Sequence, residues 1–388
     1  MNVRGLSFVA IAAVAGVVGT ESRAEAQGCI LLRQSSPLFG TMGSNDQEVG
    51  TWTVTFTGRS STADKHYNGS VRQIHRELDR TYVVNRQNSI TATVGYQLTP
   101  RVSLFAGVPF VEAAWGIPSP RSGGPAARAN ENARGLGDIT TLARVALFNP
   151  MTSTRSWNLI VGGGVKLPTG NNEATDVFPD RDGNNNVERY VDISVHPGDG
   201  GWGLIMDLQG YKAIGRFTAF GSGTWLANPK DISDVPTRGV ALTEAAGVTN
   251  FNTVSDQFVF RAGTQVALTP QISASLAWRM EGVPRYDLLG ASHGRRRPGV
   301  EMYWEPGVTF TTGRHAVSFN LPVGYYYNRF RDPYTGNEGD STFPEYVAIA
   351  TYSMRFGGKT MSHQMPGPAS DQPPTTSEPS PNPPTRRD

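Results

Sequence analysis

Several clusters in this 388-residue chain carry residue types that can do chemistry, and each fails on spacing. The stretch NLIVGGGVKLPTG (158–170) sets three glycines ahead of Lys166, the makings of a phosphate cradle. A phosphate loop needs glycine directly before the lysine and Ser or Thr directly after it, because backbone N–H groups hold phosphate and the hydroxyl holds magnesium. Val165 and Leu167 occupy those places. The dinucleotide pattern also fails at Leu167, where a third glycine would be required. Ser222 lies between two glycines without the full nucleophile-elbow spacing, and His315 has no acid partner in view. His66 and His75 share one segment without further metal ligands. In DVFPDRDGNNNVE (176–188), Asp180, Asp182, Asn184 and Glu188 surround Gly183 as in a calcium loop, but the glycine comes too early for that ligand order. A solvated loop is the plainer reading. The expectation is a protein with no catalytic residue, no cofactor and no metal.

The glycine stretch makes better sense with a period of two. Trp157, Leu159, Val161, Gly163, Val165 and Leu167 fall on one face, with Asn158, Gly162, Gly164 and Lys166 on the other. In that reading the glycines keep the inner side of a wall clear and Lys166 points into water. The same alternation returns in Trp52–Phe56, Ile90–Leu98, Val102–Phe110, Ile139–Leu147, Trp202–Leu208, Phe258–Leu268, Ile272–Met280, Val300–Phe310, Val317–Tyr327 and Ala348–Phe356, each taken in steps of two. Phe217–Trp225 carries aromatics on both faces. None of the apolar stripes bears a charge. The opposite faces carry Asp138, Arg144, Lys166, Asp207, Arg261, Arg279, Glu281, Glu301, Glu305 and Arg355. A soluble sandwich would place charges outward in water and share its aliphatic faces in a core, although its strands alternate too.

Connection lengths point the same way. Segments 98–101, 149–156, 214–216, 269–271 and 311–314 are short, whereas 58–87, 112–136, 169–200, 228–255, 282–298 and 329–345 are long. Strict alternation of short and long connections is the outer-membrane pattern of short periplasmic turns and long external loops. The fold expected is all-β: a transmembrane antiparallel up-and-down β-barrel of about 12 strands, occupying 50–356. Strands of about ten residues tilted about 40° span roughly 25 Å, the height of the apolar band of such a membrane. An even strand number returns both termini to the periplasm.

The ends fit this plan. Residues 1–26 read as a signal peptide: a basic start, an apolar run from Gly5 to Gly19, and Ala24-Glu25-Ala26 before the cleavage point. No later run of about 18 apolar residues can form a transmembrane helix. Segment 27–49 begins QGCILLRQSSPLFG, whose ILL and LF have no membrane strand to occupy, so it is expected to enter the barrel as a plug. Residues 357–388 are rich in Pro, Ser and Thr and are expected to form a disordered periplasmic tail able to touch the cell wall or a partner. A net charge of +2, 38% hydrophobic residues and a mean hydropathy of −0.34 give no sign of a nucleic-acid partner.

With these elements placed, GLGDITTLARVAL (135–147), VKLPTG (165–170), VPF (108–110) and PGDGGWG (197–203) together resemble the transporter-like outer-membrane family linked to the meta-cleavage pathway of phenol degradation. DKHYNG (64–69), VVNRQN (83–88), EGVPRYDLLG (281–290), RRPG (296–299) and EPGVTF (305–310) add to the likeness, which runs through most of the barrel. The resemblance implies an outer-membrane channel for small, hydrophobic or aromatic molecules and carries over no binding residues. The residues themselves support passive uptake of a small solute, or else a closed structural barrel whose external loops bind partners. Asp138 with Lys166, and Arg279 with Glu281 and Glu301, read either as a charged constriction or as ion pairs that hold register. Five positive and five negative lumen charges argue against strong ion selectivity. Outer-membrane lipid is the expected surroundings. Arg295-Arg296-Arg297 in a long loop reads either as a contact for lipopolysaccharide phosphates or as solvated charge.

Overall fold

The computed structural model describes residues 47–118, 128–179, 184–247, 249–333, 336 and 341–357. The expected signal peptide, residues 27–46 of the expected plug segment, the centre of the acidic loop (180–183) and the expected tail beyond Gly357 lie outside these residues.

A single antiparallel sheet closes on itself. Its segments are β1 (Trp52–Asn68), β2 (Val84–Gln97), β3 (Val102–Pro118), β4 (Arg128–Leu136), β5 (Thr140–Ala146), β6 (Trp157–Lys166), β7 (Gly203–Ile214), β8 (Phe217–Ala227), β9 (Gln257–Ala267), β10 (Ile272–Val283), β11 (Gly299–Thr312), β12 (His315–Asn320), β13 (Val323–Arg329) and β14 (Ser341–Phe356). β4 pairs the upper part of β3 and β5 the lower part, so together they make one course of the wall. β12 and β13 likewise share one course, interrupted at Leu321-Pro322. The wall therefore has twelve strands. β14 pairs with β1 from Trp52↔Phe356 to Tyr67↔Ser341 and completes the closure.

Parity sorts the residues as alternation requires. Phe56, Ile90, Val108, Phe110, Leu159, Val161, Leu204, Met206, Leu208, Leu276, Trp304, Val308 and Phe319 are exposed on the outside, while Thr55, Thr57, Thr91, Thr93, Ser103 and Asn158 are buried within. A large apolar surface on the outside and a polar inside is the inverse of a soluble core. It is stable only in lipid.

Three features depart from the sequence reading. Strands run well past ten residues: β1 and β3 each have 17 and β14 has 16, so 58–68, 84–87, 112–118, 128–136 and 341–345, within the expected loops, are strand. The outward residues of β4, namely Asn130, Asn132 and Arg134, are exposed and polar, which places this extension beyond the apolar band. A register shift between Met302, opposite Tyr326, and Tyr303, opposite Gly324, leaves Tyr325 as the extra residue of a bulge in β13. It leaves Tyr325 and Tyr326 outward and turns Tyr327 in, buried, with its hydroxyl donating to Pro344 O at 2.8 Å. Finally, Val300 and Phe258, at the loop ends of their stripes, are buried.

Candidate functional site in the barrel interior

Glycine 162 explains one ion pair. Its neighbours in register are Arg144 on β5 and Asp207 on β7. Arg144 Nε reaches across the strand between them to Asp207 Oδ1 at 2.8 Å, and Thr224 donates to the other carboxylate oxygen at 2.9 Å. A Cβ on Gly162 would stand 3.0 Å from Asp207 Cβ and 3.2 Å from Arg144 Cγ. The glycine keeps this crossing open.

Lys166 does not face water. It is fully buried, bonded to Asp199 and 3.8 Å from Asp138. The pairing with Asp138 is diagonal, because Lys166 stands in register with Thr140. Asp138 also accepts the backbone N–H of Gly170 at 2.9 Å and of Asp199 at 3.2 Å. A Cβ on Gly198 would lie 2.4 Å from Gly170 O, so only glycine lets these two chains touch. The GLGD, KLPTG and PGDGG stretches thus form one constellation, in which a lysine and a carboxylate on neighbouring courses hold the connection from β6 to β7 against the inner wall.

That connection is tied elsewhere too. Asn85 Nδ2 donates to Ser194 Oγ at 2.7 Å, and Ala174 N–H donates to His196 Nδ1 at 3.1 Å. Asp192 pairs with Arg297, whose carbon framework comes from the β10–β11 connection. This guanidinium holds the Asp192 carboxyl well below the usual carboxylate range, against the penalty of burial. Arg296 is buried on Asp287. Two members of the Arg295–Arg297 cluster therefore point inward as structural ion pairs, contrary to both sequence readings.

Inside the loop end of the wall, Val83, Val111, Trp115, Phe178, Val191 and Val195 pack into an apolar cluster. Arg238 lies 4.3 Å over the Trp115 ring and binds Glu131 at 2.6 Å. Burial, with Asp192 adding to it, pushes Glu131 up to about 8 despite the opposing pull of Arg238.

Lower in the wall, Arg59, Arg261 and Arg279 meet Glu281, Glu301 and Glu305. Arg59 binds Glu281 at 2.6 Å, Arg279 Nε binds Glu281 at 2.7 Å, and Arg261 and Arg279 approach Glu305 at 2.5 and 3.5 Å. Glu301 accepts from the Tyr303 hydroxyl. Arg355 stands apart, half-buried near the short-turn rim, in register with Thr53. Sequence reasoning missed Arg59 and Asp199. The first continues the inward parity of Thr55 and Thr57 into a stretch assigned to loop. Asp199 lies in a connection with no periodicity to read.

Ser222 and His315 do not form a catalytic pair: Ser222 lies on the inner face of β8 opposite Gln209 and Arg261, while His315 Nδ1 bonds the Tyr352 hydroxyl at 2.8 Å. His66 is buried and accepts the Val83 N–H at 2.7 Å, whereas His75 is exposed on a short helix, α1 (Ile74–Leu78).

The chain is thus a closed twelve-stranded barrel with a membrane-facing exterior. Among solved structures it is similar to an outer-membrane channel of Pseudomonas putida F1, with a TM-score of 0.51 and 13% identity over 80% of this chain and 96% of that one. It also aligns with a Neisseria meningitidis autotransporter translocator domain (TM-score 0.41, 13% identity, 80% and 89% of the two chains) and a Pseudomonas putida toluene transporter (TM-score 0.40, 10% identity, 84% and 94%). The likeness is one of fold, that of outer-membrane β-barrels. No family profile and no curated protein sequence matches the chain, so the link to phenol meta-cleavage rests on the short motifs alone.

Proposed function

We propose that this protein is an outer-membrane channel for passive uptake of small hydrophobic or aromatic molecules, with its long loops external and both termini periplasmic. The observation that carries this reading is the apolar cluster around Trp115 and Phe178 at the loop end, the largest of three apolar clusters on the inner side of the wall among the described residues. These side chains are buried against one another, so an apolar solute leaving water here would part them and take their place in the contact. The paired charges below it leave little net field to attract or repel ions. The ten predicted interior charges then act mainly by holding shape, and segment 27–49 narrows the passage further.

A second reading, a closed barrel that binds partners through its loops, is favoured by the ion pairs that fasten segment 191–199 inside the wall. Planar-bilayer conductance and swelling of liposomes in small aromatic solutes separate the two. Flux that rises when 27–40 is deleted supports the channel; absence of both conductance and solute entry in correctly assembled protein rejects it.

A further inference from the structure

A groove of about 870 Å³ runs over the outer surface where β14 closes against β1. Its floor is made of small outward residues, Gly58, Ala348 and Ala350, and its sides of Ile90, Phe110 and Phe319. It spans six strands, from β3 through the seam to β11, or roughly 24 Å across at about 4.8 Å per strand. That is wide for one acyl chain and suits several lying side by side.

The groove is polar only toward the loop end. Ser60 donates to Asn88 at 2.8 Å there, and Glu112 stands opposite Arg134 in register. One outward position above Asn88, Arg86 is exposed. The connection above this part of the wall, between β1 and β2, exposes Val71, Ile74 and Leu78 together with Arg80. Apolar residues beside guanidinium groups at the edge of an apolar band match a layer of acyl chains topped by phosphate.

We propose that this groove binds a phosphorylated, multiply acylated glycolipid of the leaflet on the loop side, its acyl chains over Gly58 and Ala350 and a phosphate at Arg86. The choice of leaflet rests on the external placement of the loops proposed above. The binding itself needs no open lumen, so it can be measured independently of conductance.

The test uses full-length barrel refolded in detergent and titrated with purified lipid A, its dephosphorylated form or phosphatidylglycerol, counting bound lipid by native mass spectrometry. Gly58→Leu fills the groove; a Cβ there has no neighbour nearer than Ala350 O at 3.9 Å, so folding should be spared. Heat-modifiable migration checks this. Lipid A should bind wild type, at least tenfold more weakly to Gly58→Leu, and about fivefold more weakly to Arg86→Gln. Gly163→Leu, outward on β6 with no atom within 4 Å of its Cβ, should bind as wild type. Unchanged binding by Gly58→Leu, equal loss in Gly163→Leu, or equally tight binding of the dephosphorylated lipid or phosphatidylglycerol would each overturn the proposal.

Discussion

Arg144 and Asp207 meet at 2.8 Å although a whole strand separates theirs, and they do so over the bare backbone of Gly162. Gly162→Ala should therefore destabilise the barrel by roughly 1–3 kcal/mol, the usual penalty for overpacking a filled interior. Gly163→Ala, one residue along but facing outward into open space, should change stability by less than about 0.5 kcal/mol. Urea unfolding in lipid vesicles compares the two. Equal effects would mean that the parity of β6 is misassigned.

Removing the Lys166 ammonium strands two buried carboxylates, Asp138 and Asp199. Breaking a buried pair in this way costs on the order of 3–5 kcal/mol. Because Asp199 belongs to the connection and Asp138 to the wall, the loss should appear as release of segment 191–201 more than as unfolding of the barrel. Lys166→Met is expected to raise hydrogen exchange across 191–201 at least tenfold and to increase conductance. Unaltered exchange there would show that Asn85 and Arg297 suffice to hold the segment.

The outer wall was legible in the sequence because side-chain parity is local: Leu204, Met206 and Leu208 declare their face without knowledge of any partner. The same parity put Arg144, Asp207, Arg261 and Glu305 on one side. Which charge meets which was not legible, since Arg144 finds Asp207 only through the registers of two ladders. Unbroken alternation predicts Tyr327 outward, because a bulge changes parity without a strong signal in residue types. Asp199 and Arg297 lie in connections whose course depends on contacts with the wall, so their roles emerge only with the fold.

The Glu131 carboxyl, held at about 8 against an ordinary value of 4.5, gives the loop end a pH dependence. A raised value in the folded protein means a contribution to stability that is fully present below about 4.5 and is lost as pH rises through about 8. Arg238 faces the group and favours its ionised form, while Asp192 opposes ionisation. The protection factors of the 128–136 amides, which remove the intrinsic base catalysis of exchange, should fall between pH 7 and pH 9. Glu131→Gln should flatten that fall; a fall that persists in the variant would assign it to another group.

Closure of the barrel depends on the pairing of its first and last strands, and its short-turn end is the pair Trp52 and Phe356. Both rings are exposed on the outer face, at 43% and 37%, where the apolar band meets the interface. Tyr352 and Met354 lie on the same parity just above Phe356, so the membrane-facing stripe is complete at that residue. A carboxylate there would stand in or beside hydrocarbon, at a cost that falls from the midplane toward the interface. Its larger effect should be on assembly, because this strand must find β1 before the sheet has no free edge. Phe356→Asp is therefore expected to lower the fraction of heat-modifiable barrel severalfold, while truncation after Gly358 should leave that fraction unchanged. The opposite result, with truncation abolishing insertion and Phe356→Asp tolerated, would move the assembly determinant into the Pro-rich segment beyond the final strand.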